Sequence, residues 1–161
     1  MARQMGMVSY RTAQAYQDKF GRGLHQKKNA KSASSLADAP GKAYGSSALF
    51  DAQSYLHYQG TKFLSRFDPV TYVKMTEQMD SHDISRGRNG TLEEVLGRID
   101  IPALVMGIDS DVLYPLSEQQ FLAQHLPRGE LKVIHSPDGH DGFLLEQEQV
   151  GNNISQFLNE H

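Results

Sequence analysis

The chain has 161 residues, a formal net charge of −3, 39% apolar residues and no cysteine. That length suits about one domain, and the charge leaves no basic surplus that would attract nucleic acid or an anionic membrane. Without cysteine there is no disulfide framework, no cysteine zinc site and no thiol nucleophile.

Met1 to Met7 hold no long apolar stretch, so no secretory signal is read there. No run of about 18 apolar residues occurs, so nothing is expected to span a bilayer, and a cytoplasmic location is expected. Met5, Val8, Thr12, Tyr16 and Phe20 recur every three or four residues, which predicts a helix over residues 1 to about 20, stopped by Gly21-Arg22-Gly23. Residues 24 to about 45 are rich in Lys, Ser, Ala and Gly. They cannot bury enough apolar surface to offset their ordering entropy, and a flexible loop is expected. A second helix follows, with Ser46 or Ser47 as cap and Leu49, Leu56, Phe63 and Phe67 on one stripe around Gly60. Asp68-Pro69 ends it and opens another, which carries Val70, Val73, Met75 and Met79. Residues 85–90 read as loop, and Thr91-Leu92-Glu93-Glu94 as a capping box opening a short helix.

From Pro102 the period changes. Ala103-Leu104-Val105-Met106-Gly107-Ile108 is a short continuous apolar run, as in a buried parallel strand. A helix from Ser117, as cap, to about Leu126, a strand over Leu131–His135 and a closing helix from Glu146 to about Leu158 complete an alternating α/β order. Two parallel strands are too few to stand alone. Residues 99–161 therefore read as the edge of a larger sheet, and residues 1–98 as a helical region lying on it.

Open parallel sheets place functional groups beyond the carboxyl ends of their strands. Here Asp109-Ser110-Asp111 follows the first strand, and Gly139-His140-Asp141-Gly142 follows the second. Asp111 and His140 are 29 residues apart. Neighbouring strands would bring them together, and a carboxylate there fixes an imidazole's tautomer and stabilises its charged form. The glycines flanking His140-Asp141 permit a sharp turn and a close approach by substrate. The order acid then histidine fits the last two members of a Ser-Asp-His triad, but no G-x-S-x-G elbow is present in the sequence. Asp109 competes with Asp111 for the acid's place, and spacing alone does not separate them. No two histidines have metal-ligand spacing on a shared helix face, so no metal is expected. His57, His125 and His135 read as surface or packing residues, and His82-Asp83 as a hydrogen-bonded loop pair.

Four separated motifs resemble the homoserine O-acetyltransferase family. They are Ala2-Arg3-Gln4-Met5-Gly6-Met7-Val8-Ser9-Tyr10-Arg11-Thr12, Tyr55-Leu56-His57-Tyr58-Gln59-Gly60-Thr61-Lys62-Phe63, Ser110-Asp111-Val112-Leu113-Tyr114-Pro115 and Gly139-His140-Asp141-Gly142-Phe143-Leu144. Asp80 to Arg88 resembles the family's fungal branch. The resemblance implies the C-terminal part of an α/β-hydrolase fold: a helical lid, then the last two parallel strands with their helices. It also implies acetyl transfer from acetyl-CoA to L-homoserine, a step of methionine biosynthesis, with no bound cofactor. On the matching positions it makes Asp111 the triad acid and His140 the base, and it aligns Asp111 where Asp109 would compete. Asp141 would hold the homoserine ammonium, Arg3 its carboxylate, and Tyr10 would line the same pocket. It further implies a homodimer formed through the lid helices, and a serine and oxyanion donors from elsewhere, so that this chain alone would be inactive. Plainer readings stay open: Arg3 as a solvated residue, Tyr10 as core packing, Asp141 as a turn cap. The other functional readings are a related acyltransferase with serine or a deacetylated cephalosporin as acceptor, and a non-catalytic dimerisation module.

Overall fold

The computed structural model describes residues 2–23 and 50–161. The loop expected at 24–45, with Ser46, Ser47 and Leu49, lies outside the described residues.

The segment expected to form one helix over residues 1–20 forms two. Helix α1 spans Ala2–Ser9 and α2 spans Ala13–Phe20. The break is at Thr12, whose backbone is extended and whose hydroxyl accepts the Ala15 N–H at 3.1 Å. A threonine at that point satisfies one of the orphan donors of a new helix. The apolar period does not mark the buried face either: Met5 and Val8 are exposed, and the two helices bury Met7 and Ala15 instead. Tyr16 ties the two helices together by donating its hydroxyl to the Met7 carbonyl at 2.8 Å.

Helix α3 covers Asp51–Leu64 and packs on α1. It begins later than either serine would place it. Phe50, in extended conformation, takes the cap position, and its N–H donates to the Gln53 side chain at 3.0 Å. Phe67 falls beyond the helix end and stacks on Phe63 with centroids 5.0 Å apart. Helix α4, Pro69–Asp80, starts as its Asp-Pro pair predicts, with the Asp68 carboxylate accepting the Thr71 N–H. Val70, Val73, Met75 and Met79 on α4 are all exposed. The turn at 85–90 is held by Arg98, which donates to the carbonyls of Arg88 and Asn89. Thr91 and Glu94 form the expected capping box of α5, Leu92–Leu96.

Strands β1, Ala103–Ile108, and β2, Gly129–Ile134, pair in parallel, in register from Ala103 opposite Gly129 to Ile108 opposite Ile134. Helix α6, Leu116–His125, connects them and packs on both. Ser117 is not its cap: Pro115 precedes the helix, and its carbonyl accepts the Glu118 N–H. A 3-10 turn at Gly139–Asp141 runs into the short α7, Gly142–Leu145, and α8, Gln147–Glu160, closes the chain. Burial along the sheet is uneven. Ile134 is fully covered and Ile108 nearly so, whereas Ala103 to Met106 are only half-buried, since a strand with a neighbour on one side keeps an open edge.

Open strand edges and exposed apolar side chains promote self-association. The chain expressed alone is expected to sediment as heterogeneous assemblies, and a monodisperse monomer with a sharp cooperative melt would contradict this.

Candidate active site

The two strand ends bring Asp111 and His140 together. Asp111 lies just past β1, where its N–H donates to the Ile108 carbonyl. Its side chain is only 5% exposed, and its Oδ2 lies 2.8 Å from His140 Nδ1. The other oxygen, Oδ1, accepts the N–H groups of Leu113 at 2.8 Å and Tyr114 at 3.1 Å. Burial by itself pushes this carboxyl up, but the His140 hydrogen bond and the Tyr114 and Leu113 N–H groups outweigh it. The carboxyl therefore sits below the ordinary aspartate value. An ionised carboxylate is acceptor-only, so His140 Nδ1 carries a proton, and in the neutral imidazole the lone pair is then on Nε2. That is the tautomer a general base needs.

Asp109 does different work. Its Oδ2 lies 2.8 Å from His135 Nδ1 and its Oδ1 accepts the Ser136 N–H at 3.1 Å, while its own N–H donates to Ile134. His135 is an exposed residue, as expected, but one paired with a carboxylate. This second Asp–His pair staples the strand ends at the surface and faces away from enclosure. Hydrogen bonds from Ser136 and His135 hold the Asp109 carboxyl below its ordinary value. Ser110, between the two acids, donates to the Ser136 carbonyl and accepts the Gly139 N–H. The three consecutive residues 109–111 thus fix the whole histidine loop.

The glycines of that loop are required by space. Gly139 has φ +68°, and a Cβ there would meet the Tyr10 carbonyl at 3.1 Å and the Thr12 nitrogen at 3.2 Å. A Cβ on Gly142 would lie 2.8 Å from Ser136 Cβ and 3.0 Å from Ile108 Cγ2. The α1–α2 break is therefore pressed against the loop. Tyr10 accepts the Asp141 N–H at 3.1 Å, and Thr12 donates its hydroxyl to the Pro137 carbonyl.

Tyr10, Tyr114 and Phe143 surround the His140 ring, at centroid distances of 5.6, 5.3 and 5.4 Å. Arg3 lies against this collar, its guanidinium 5.7 Å from the Tyr10 ring and 5.5 Å from Phe63. Tyr10 is thus beside the base, and Arg3 is one ring further out. Asp141 is adjacent too, but its Oδ2 is taken by Arg11 Nε at 3.1 Å, while Arg11 also reaches Asp138 at 3.2 Å. Sequence reading missed Arg11. Its only signal was an arginine inside a matching motif and two aspartates three residues apart in the loop, with nothing to connect them across 127 residues. Asp83, expected to pair with His82, instead takes the N–H and hydroxyl of Ser85. A cavity of about 300 Å³ opens at the strand ends, lined in part by Asp111, Tyr114, His140 and Phe143. Among the described residues no cluster of three His, Asp or Glu could hold a metal, and no helix is long and apolar enough to cross a membrane.

A parallel pair of strands with an acid beyond one end and a histidine beyond the next, beneath a helical cap, places this chain among the α/β-hydrolase-fold proteins. Comparison narrows the class. The chain is 42% identical over 158 residues to a homoserine O-acetyltransferase of Chlorobium chlorochromatii, covering 98% of the chain and 39% of that relative. It is 51% identical over 109 residues to the Saccharomyces cerevisiae homoserine O-acetyltransferase, covering 68% of the chain and 22% of the relative. The crystal structure of a Staphylococcus aureus homoserine O-acetyltransferase superposes with a TM-score of 0.66 at 28% identity, covering 98% of this chain and 40% of that one. No protein-family model matches. The chain belongs to the homoserine O-acetyltransferase family, and spans about 39% of the length of the bacterial relative it matches from end to end.

The depressed Asp111 carboxyl links stability to pH. Its contribution is complete above the unfolded-state aspartate value, about pH 4, and is lost as pH falls through the lower folded value. In a complex with the rest of the fold, where the sheet edge is covered, the gap in unfolding midpoint between the native protein and Asp111→Asn should be constant above about pH 5 and close as the solution is acidified below pH 4. A gap that persists unchanged at low pH would show that the charge of Asp111 does not matter.

Proposed function

We propose that this chain supplies the acid and base of a Ser-Asp-His triad that moves an acetyl group from acetyl-CoA to the hydroxyl of L-homoserine. The observation that carries this reading is the 2.8 Å contact between buried Asp111 and His140. The family relationship names the reaction.

In the first half-reaction a serine from other polypeptide attacks the thioester carbonyl. His140 Nε2 takes its hydroxyl proton, an acyl–oxygen bond forms, the carbon–sulfur bond breaks, and the departing CoA sulfur receives the proton. In the second, the homoserine hydroxyl attacks the acetyl-serine. His140 takes the proton from that hydroxyl and returns it to the serine as the ester product forms. Asp111 stays ionised throughout and stabilises the imidazolium. Tyr10, Tyr114 and Phe143 flank the imidazole and restrict its ring orientation, leaving it partly open for substrate to reach. Asp141 and Arg3 complement the ammonium and carboxylate of the acceptor, which favours an amino acid over an uncharged alcohol.

The chain by itself should release no CoA from acetyl-CoA in the presence of homoserine. Adding the family's N-terminal portion, with its serine and oxyanion donors, should restore release. In that complex His140→Ala should abolish turnover, and Asp111→Asn should lower kcat by about 10⁴-fold, because the histidine loses its tautomer. Restored activity that survives His140→Ala would overturn the triad assignment.

A further inference from the structure

Arg11 sits at the break between α1 and α2 and reaches both sides of His140 in sequence. Its NH1 donates to Asp138 Oδ1 at 3.2 Å and its Nε to Asp141 Oδ2 at 3.1 Å. All three side chains are largely enclosed, with exposures of 17%, 24% and 16%. Such a pair of contacts exploits the guanidinium's rigid fork, which a lysine's single ammonium cannot copy. Two carboxylates share one cation, so the cluster keeps a net charge of −1 beside the catalytic histidine. Asp141 Oδ1 has no hydrogen bond among the described residues, while Oδ2 is committed to Arg11.

We propose that Arg11 is a positioning residue for acceptor choice: by holding Asp141 through Oδ2, it turns Oδ1 toward the site as the acceptor for a cationic group on the incoming alcohol. The inference rests on the functional reading above and adds the element that makes Asp141 selective. Arg11 touches neither the reacting atoms nor His140. Its effect should fall on the second half-reaction, where an ammonium must be recognised, and spare the first, where none is present. Loss of loop rigidity alone would instead impair His140 in both.

The test uses the chain complemented as above, with L-homoserine and its deaminated analogue 4-hydroxybutanoate as acceptors. The single-turnover burst of CoA released without acceptor reads the first half-reaction. Arg11→Gln is expected to leave that burst within about twofold. It should raise KM for homoserine at least tenfold, with a smaller change in kcat, and collapse the preference for homoserine over 4-hydroxybutanoate. Arg11→Lys should recover part of that preference, because one carboxylate can still be held. Burst and turnover falling together would make Arg11 a structural tie only and overturn the inference. An unchanged preference in an active complex would also overturn it while leaving the functional reading intact. A native complex without homoserine-dependent turnover would overturn both.

Discussion

A carboxylate placed almost out of reach of water must find donors, and the residues around Asp111 are arranged to meet that demand. Two come from the backbone of the turn that follows it, at Leu113 and Tyr114, and one from His140, on a loop 29 residues away. Hydrogen bonds to a charged group are each worth about 1.5–3 kcal/mol, and a buried carboxylate stripped of them is costly. The turn after β1 and the loop after β2 are therefore not independent: each is needed to keep the other's polar groups satisfied. The donor that satisfies Asp111 is the imidazole of His140, a residue that lines the cavity at the strand ends.

Around this pair the fold divides its labour among adjacent residues. Asp109, Ser110 and Asp111 are consecutive, yet one staples the surface edge of the strand ends, one clamps the loop backbone and one serves the histidine. Strand alternation would leave residues i and i+2 on one side; it is the turn after β1, closed by the Asp111 N–H on the Ile108 carbonyl, that sends the two acids to different partners. The exposed pair can tolerate solvent screening, whereas the enclosed pair is insulated from it.

Much of this was readable beforehand. The first strand was marked by a continuous apolar run, α5 by its capping box and α4 by Asp68-Pro69, all local signals; the second strand, interrupted by Lys132, was expected over Leu131–His135 and runs over Gly129–Ile134. The acid and histidine loops were placed by the general rule for parallel sheets. What could not be read depended on distant partners. Thr12 lies in an apolar period that runs on through it; its hydroxyl caps α2 locally, while its bond to Pro137, 125 residues on, is a tertiary contact that the sequence does not display. Asp109 and Asp111 are equivalent in spacing. Enclosure, a tertiary fact, and the two N–H groups of the following turn, a local one that composition does not reveal, separate them. Arg11 was invisible for the same reason, since its worth comes from two carboxylates that the fold brings to it.

The contact between Gly139 and the Tyr10–Thr12 break couples two parts of the molecule that could otherwise drift apart. A cap resting on a sheet through side chains alone could be exchanged for another of similar shape. Here the cap supplies a backbone carbonyl and a hydroxyl to the loop that carries His140, and packs so closely that a Cβ on Gly139 would crowd the Tyr10 carbonyl and the Thr12 nitrogen. Transplanting these strands beneath a foreign set of helices would leave the histidine unsupported unless residues 10–12 travelled with them.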